Sequence, residues 1–434
     1  MRILVANHVD ASLLLQADQR AFVQRIFWFA KDHDMVVLPA PPDEDFLAYV
    51  TNLTGVDART LKIHVTAAGR YEHRLFDPDT LTDEALLSAV GKDAAGATEI
   101  FPLWPSAQVA EFAARLGLTH ALPGAAFFAQ QGDELANNKG NFRAFAAAAG
   151  VPICDGAVCR TKEHAESTLR GLLEHGAAMV KQAHNHAGNG NECVILSNDQ
   201  IGHAGSIDVK RLRTLADVRR YLDTRWEWAS ANNRYPVVIE QFQPESRTVY
   251  AEFMATDLGV SFGATGSLGY KNGRLVEEII PLRGVNGDVH ARLVHHGSRL
   301  AHLYQSFGYR GCLSADALVD GNGNLVFTEM NARVGGSLHL YDPIGHKIVD
   351  VWRTPERSVV QYPTGKHWKI PSLTTFLDAS RKMGLAYDLA TRKGLIVIMP
   401  MAGPANHGGF LFCVSYEDES EAKTAYQSLE ERFA

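Results

Sequence analysis

Cys312-Leu313-Ser314-Ala315-Asp316-Ala317-Leu318-Val319 and Leu325-Val326-Phe327-Thr328-Glu329 are two runs of strand-forming residues on either side of Asn322-Gly323. That dipeptide favours a two-residue type I′ hairpin turn. Such a turn sets residue 319 opposite 326 and Asp316 opposite Glu329, on one face of the sheet. Asn331 and Arg333 continue that face, because strand side chains alternate with period two. Facing carboxylates lie roughly 5 Å apart at Cβ and repel each other unless a positive charge stands between them. Two carboxylates and an amide oxygen form an all-oxygen donor set, which suits Mg2+ completed by water and nucleotide phosphates. Asp316, Glu329 and Asn331 are therefore the candidate metal ligands.

A phosphate partner for such a metal calls for cations and backbone donors upstream. Lys139 precedes a helix-like, alanine-rich segment, and Lys181 ends the apolar run Ala177-Ala178-Met179-Val180, a core edge where a charge needs a partner. Gly188-Asn189-Gly190 can turn successive backbone N–H groups toward an anion. The glycine-lysine signature of P-loop enzymes, the protein-kinase signatures, HExxH and GxSxG are all missing from the sequence.

The 434 residues are enough for about three domains, and the 46% hydrophobic content supplies their cores. A net charge of −7 gives no basic field for nucleic acid, so small molecules are the expected partners. Five cysteines, at 154, 159, 193, 312 and 413, form no CxxC pair, which argues against a disulfide framework or structural zinc and for a reducing, cytoplasmic setting. Met1-Arg2-Ile3-Leu4-Val5-Ala6 is too short for a secretory signal and reads as a buried strand, and no apolar run reaches the ~20 residues of a membrane span.

Residues 3–6 and 35–38 read as parallel strands around a helix containing Phe22, Ile26 and Phe29, with Pro39-Ala40-Pro41-Pro42 ending that unit. A first α/β domain is expected over 1–135. Further strands are expected at 178–181, 193–196, 236–240, 248–253 and 260–268, with an Asn272-Gly273 turn, a helix over 290–307 and the 312–331 hairpin. Residues 346–434 add a helix near 374–384, strands at 395–399 and 410–414 around a Gly/Pro-rich turn, and a terminal helix from 419, a small α+β extension.

The order and spacing over residues 136–345 resemble the ATP-grasp family of ligases, in which two α+β lobes clamp ATP; the resemblance implies a catalytic module over 136–345 whose lobes meet near 205–236. The Glu329-Met330-Asn331-Ala332-Arg333-Val334-Gly335-Gly336-Ser337 run is similar to that family's Glu-x-Asn-x-Arg-x-Gly-Gly pattern. The resemblance implies an N-terminal Rossmann-like, pre-ATP-grasp domain. It assigns Lys139 and Lys181 to the phosphates, His186 to Asn191 (with Gly188 and Gly190) to a mobile lid, and Val238-Ile239-Glu240-Gln241-Phe242 to the adenine hinge. Where many relatives carry a ribose-binding glutamate this chain has Arg247, and Glu245 is the nearest acid. The implied cofactors are ATP and two Mg2+ ions, and the implied reaction is ADP-forming amide synthesis from a small-molecule carboxylate and an amine through an acyl phosphate. Arg333 then orients the carboxylate or steadies the oxyanion, Lys181 assists phosphoryl transfer, Arg283 is a second carboxylate anchor, and Glu278 either binds the amine or pairs with Arg283. His184 and His186 are expected at the surface. The flanking segments, including Gly394-Leu395-Ile396-Val397-Ile398-Met399-Pro400, look like the pheganomycin-type peptide ligase group of bacterial secondary metabolism. Rival readings are a ligase with a non-amine acceptor and a non-catalytic nucleotide-binding regulator. A homodimer is the expected assembly.

Overall fold

A computed structural model of the chain describes residues 1–7, 18–69, 72–74, 76, 80–185, 188–196, 206, 208–271, 273–401 and 409–434. His186, Asn272 and the Gly/Pro-rich turn between the last two strands lie outside these.

Four short strands, β1 (Arg2–Val5), β2 (Met35–Leu38), β3 (Lys62–Val65) and β4 (Glu99–Pro102), form a parallel sheet in the order β3-β2-β1-β4. The crossing segment Phe22–Phe29 is a 3-10 helix, and it is almost wholly buried. The proline stretch at 39–42 does not end the unit. Asp43 accepts the N–H of Phe46 and caps a helix over Glu44–Thr54, after which the chain returns for β3 and β4. Those strands read KIHV and EIFP, too polar and brief to announce themselves as buried strands.

The next unit carries β5 (Gly156–Cys159), β6 (Ala178–Lys181), β7 (Asn191–Leu196), β8 (Asp208–Leu212) and β9 (Val237–Gln241), in the order β5-β9-β6-β7-β8. Helices Lys162–Leu173 and Val218–Ala229 contribute Leu169, Leu173, Leu222 and Trp226 to its separate apolar core, against Val180, Val194 and Ile239. Because the β6 run is buried from Ala178 onward, its terminal Lys181 emerges at the rim of that sheet, 6% exposed.

The largest sheet is built from β10 (Arg247–Thr256), β11 (Gly259–Lys271), β12 (Arg274–Ile280), β13 (Gly311–Val319), β14 (Leu325–Asn331), β15 (Ser358–Pro363), β16 (Gly394–Pro400) and β17 (Phe410–Tyr416), in the order β14-β13-β10-β11-β12-β15-β17-β16. The C-terminal extension thus lengthens this sheet by three strands instead of forming a sheet of its own. Helix Gly287–Ser306, capped by Asn286 on the N–H of Val289 at 2.8 Å, covers one face through Val289, Leu293 and Leu300. One continuous core joins this sheet to the N-terminal one. Polar ties reinforce the joint: Trp28 Nε1 donates to the Ile398 carbonyl at 2.6 Å, and the Tyr49 hydroxyl accepts the Val397 N–H at 3.0 Å. All five cysteines are buried and unpaired. No helix of the described residues is long and apolar enough to cross a membrane.

Val397 lies at a register shift in the β16–β17 ladder, so its N–H depends on Tyr49. Tyr49→Phe is expected to lower stability by about 1–2 kcal/mol, the effect of stranding one backbone donor, with nucleotide affinity unchanged. Coincident denaturant-unfolding curves for the two proteins would contradict this.

Candidate active site

The hairpin that carries the acids is not the one the Asn-Gly dipeptide suggests. Gly323 alone of the turn residues has positive φ, at +81°. Its N–H reaches the Asp320 carbonyl at 3.0 Å, and the Asp320 carboxylate accepts the N–H groups of Asn322 and Asn324 at 2.8 Å each. The loop therefore has three residues and offsets the strands by one, with Val319 facing Leu325 and Ala317 facing Phe327. A bulge at Thr328 then restores the register, and Asp316 faces Glu329 after all. Asn331 Nδ2 donates to Asp316 Oδ2 at 3.0 Å, and Ser314 Oγ donates to Oδ1 at 3.0 Å.

This acidic row lies in the wall of a cleft of about 690 Å³ between the large sheet, the β6–β9 edge and the N-terminal unit. Burial and the charge of Glu329 push the Asp316 carboxyl well above the usual carboxylate range. For Glu329, burial opposes the charge, but Lys139 and Lys181 outweigh it and hold the group well below that range. The donor chemistry fits a hard divalent cation: two carboxylates and an amide on one face, with one acid driven toward its protonated form by burial and by its neighbour's charge.

The cations are mounted at one corner. Lys139 is the first residue of helix Lys139–Ala148, whose cap, Asn138, accepts the N–H groups of Gly140 and Asn141. The Lys139 ammonium lies 3.0 Å from Glu329 and donates to the Asn185 carbonyl at 2.8 Å. Lys181 pairs closely with Glu240, whose other oxygen accepts from Arg143 at 3.0 Å. Burial disfavours the Lys181 charge, yet Glu240 more than offsets it and the ammonium is held above its ordinary range. Arg333 spans to the N-terminal unit, its guanidinium 4.4 Å over the Trp104 ring and bonded to Asn137 Oδ1 at 2.8 Å. Burial lowers its pKa, which its proximity to Glu329 and Asp316 partly restores. Beneath it, Arg25 holds the carbonyls of Val334 and Gly335.

Asp316, Glu329, Asn331, Lys139, Lys181, Arg333, Gly188, Glu240, Gln241 and Phe242 all line this one cleft. Others do not. Arg283 is exposed and donates to Ser358 Oγ and the carbonyls of Pro355 and Arg357, so it braces the entry to β15 and anchors no substrate in the cleft. Glu245 is exposed, at φ +56°, outside the cleft lining; Gln243 and Ser246 stand there in its place. Gly190 lies behind the wall, where a Cβ would fall 2.5 Å from the Asn185 Cβ, so its role is close packing. At the hinge, the N–H groups of Gln241 and Phe242 are committed to the Asp155 and Ala177 carbonyls, leaving Gln243 as the next residue along the wall. His184 is buried, not at the surface: it bonds Asn138 at 3.0 Å and packs on Tyr235. Glu278 pairs with Tyr250 and Gln361, not with Arg283.

Local residue patterns carry no hint of Trp104, Asn137 and Arg25, whose roles depend on distant contacts; Asn137 meets Arg333 across 196 residues of chain. Tyr250 is accessible in principle, since it lies two residues beyond Thr248 on the same face, but only once β10 is known to neighbour β13.

A parallel N-terminal sheet, two α+β lobes and a cleft with paired acids and two buried lysines define the ATP-grasp fold with an N-terminal pre-ATP-grasp domain. Residues 23–118 match the Pre ATP-grasp domain family. Among solved structures the chain is similar to N5-carboxyaminoimidazole ribonucleotide synthetase from Thermus thermophilus, at 15% identity and a TM-score of 0.59, covering 100% of this chain and 98% of that one. An ADP complex of such a synthetase matches at 14% identity and 0.60, covering 99% and 95%. The biotin carboxylase of Campylobacter jejuni in a β-γ-ATP complex matches at 14% and 0.61, covering 100% and 91%. No curated protein sequence matched the chain.

Lys181→Met should weaken Mg-ATP binding at least about tenfold, a loss of roughly 1.4 kcal/mol or more, while Arg143 keeps Glu240 paired; unchanged affinity by calorimetry would remove Lys181 from the phosphate site. A second expectation concerns Glu252, wholly buried and accepting a hydrogen bond from Ser337. Burial, opposed by that hydrogen bond and reinforced by Asp316 and Glu278, lifts its carboxyl to about 8. The folded chain then keeps a proton that the unfolded chain loses near pH 4.5, so stability is full below that value and falls as pH rises toward 8. Glu252→Gln keeps an acceptor for Ser337 and should flatten that fall by on the order of a few kcal/mol. Equal pH slopes of denaturation midpoints in the two proteins would refute it.

Proposed function

We propose that this chain is an ATP-dependent carboxylate–amine ligase that forms an amide through an acyl phosphate and releases ADP and phosphate. The observation that carries the reading is the meeting, in one cleft, of the Asp316–Glu329–Asn331 row, the lysines 139 and 181, and Arg333. In the first step a substrate carboxylate oxygen attacks the γ-phosphorus of ATP and the bond to the β,γ-bridging oxygen breaks. In the second, the amine nitrogen attacks the acyl carbon, the bond to the phosphate oxygen breaks, and the nitrogen loses its proton. Phosphoryl transfer of this kind is served chiefly by positioning and charge neutralisation.

Asp316, Glu329 and Asn331 are the residues that would hold Mg2+, two ions in this reading. When bound, the metal supplies charge neutralisation at the phosphate oxygens. Lys139 and Lys181 balance further phosphate charge, and Arg333 is fixed between Trp104 and Asn137 to meet a carboxylate or a developing oxyanion. Gly188, Asn189 and Asn191, on the cleft wall, belong to the described part of the lid that would exclude water from the acyl phosphate. The finer reading is peptide ligation: an amino acid or similar acid joined to an amino acid or short peptide in bacterial secondary metabolism, by a cytoplasmic enzyme acting as a homodimer.

With Mg-ATP and pooled amino acids and short peptides, supplied singly and in pairs, ADP and phosphate should form only when an acid and an amine are both present, with a new amide seen by mass spectrometry. Glu329→Gln should abolish that turnover and leave the fold intact. AMP and pyrophosphate as products, or turnover retained by Glu329→Gln at saturating Mg2+, would overturn the reading.

A further inference from the structure

The cleft continues beyond the acid row. Tyr250 on β10 is in register with Asp316 on β13. Its hydroxyl passes over Gly266 of β11, where a Cβ would lie 2.3 Å away, and donates to Glu278 of β12 at 2.7 Å. Only bare backbone at Gly266 permits that crossing. Gln361 of β15 donates to the other Glu278 oxygen at 2.9 Å. Glu278 is 3% exposed, yet it lines the cleft.

Around Glu278 the wall is mostly apolar, with Leu268 and Tyr270 from β11 and Pro363, Met399 and Leu411 from the three C-terminal strands; Gln361 and a second carboxylate, Glu277 of β12, complete it. Among the described lining residues the cations are Lys139, Lys181 and Arg333, all engaged at the nucleotide end: with Glu329, with Glu240, and with Asn137 and Trp104. The two ends are thus complementary to opposite charges. A substrate carboxylate belongs with Arg333. An ammonium belongs with Glu278: two hydrogen-bond donors hold its carboxyl in place, burial pushes that carboxyl up to about 7, and an adjacent ammonium would draw it to the charged form. A free carboxylate beside that ammonium would enter a largely apolar enclosure and face Glu278 with no cation among the described lining residues there to meet it.

We propose that the Glu278 end is the acceptor subsite, and that it selects a primary amine flanked by an apolar side chain and an uncharged α-substituent: an apolar amine, or the amino terminus of a peptide that begins with an apolar residue. This rests on the ligase reading above and gives its amine a chemical class.

The test is calorimetry on the full chain saturated with Mg2+ and a non-hydrolysable ATP analogue, with L-leucinamide, 3-methylbutylamine, L-leucine and glycinamide as probes. Leucinamide is expected to bind at least about tenfold more tightly than leucine, which adds the carboxylate, and than glycinamide, which lacks the side chain. Methylbutylamine separates the two sources: binding equal to leucinamide points to plain amines, weaker binding to peptide termini, and either supports the subsite. Glu278→Gln should weaken leucinamide at least tenfold with nucleotide affinity unchanged. Because Glu278 is buried, half-buried Leu411 provides a second variant, and Leu411→Ser should narrow the preference for leucinamide over glycinamide. Leucine binding as well as leucinamide, no effect of either variant, or no leucinamide binding at all would overturn the proposal. ADP formation that requires acid and amine together but ignores both variants would retain the ligase and discard the subsite. Leucinamide binding through Glu278 with no stimulated ADP formation would do the reverse.

Discussion

Two carboxylates held in register across one antiparallel ladder, Asp316 and Glu329, set the conditions that the rest of the site must meet. The backbone hydrogen bonds of β13 and β14 fix their separation, so the repulsion cannot be relieved by moving either strand. In the chain alone it is relieved in two ways at once: Lys139 neutralises Glu329, and Asp316 is driven toward its protonated form. Each depends on a position set elsewhere. Lys139 reaches Glu329 because its helix starts at a fixed point. The Asn138 cap fixes that start, since its amide also bonds His184, while the Lys139 N–H bonds the Ala183 carbonyl just beyond β6. The two lysines are therefore tied to a single corner of the structure.

Both lysines already hold partners in this state, and those partners are not equivalent. Glu329 belongs to the acid row, so a cation entering that row would release Lys139 toward a phosphate. Glu240 has no such replacement in the row, but Arg143 bonds its second oxygen and is itself fixed by the Cys154 carbonyl. A buried carboxylate stripped of its only partner is strongly destabilising. Arg143 would prevent that outcome if Lys181 turned toward a ligand, which gives a physical reason for a second cation at a position where one would balance the charge.

Local residue order makes the essential parts legible. The pairing of Asp316 with Glu329, the helix start at Lys139 and the strand end at Lys181 follow from turn chemistry, capping and apolar runs close to each in the chain. Even there the route differs. The Asn-Gly turn is one residue longer than its dipeptide suggests, and the Thr328 bulge cancels the error. Arg283 and Glu245 look useful because charge and proximity along the chain are visible in sequence, whereas the direction of a side chain is not. β3 and β4 escape notice because parallel neighbours come from distant segments and their own residues are half polar. Trp104 under Arg333 is a contact between units, for which local pattern carries no signal.

The addition of β15, β17 and β16 to the large sheet explains why the cleft has two distinct ends. β12 lies three strand spacings from β13, roughly 14 Å, so Glu278 and Asp316 share a sheet face without sharing a charge cluster. Tyr250 occupies the interval. Burial, then the charge of Glu278, holds its phenol far above its ordinary pKa, so it stays neutral and donates its one proton toward β12. It therefore cannot carry charge between the two acids, and acts as a fixed spacer: the end that holds Lys139, Lys181 and Arg333 with the acid row stays on one side, and the end that holds Glu278 among apolar residues on the other. In the proposed reaction, an activated acid and an amine would approach one point from these two ends. A sheet with Tyr250 between its two differently charged ends would allow that approach without a large rearrangement within the sheet.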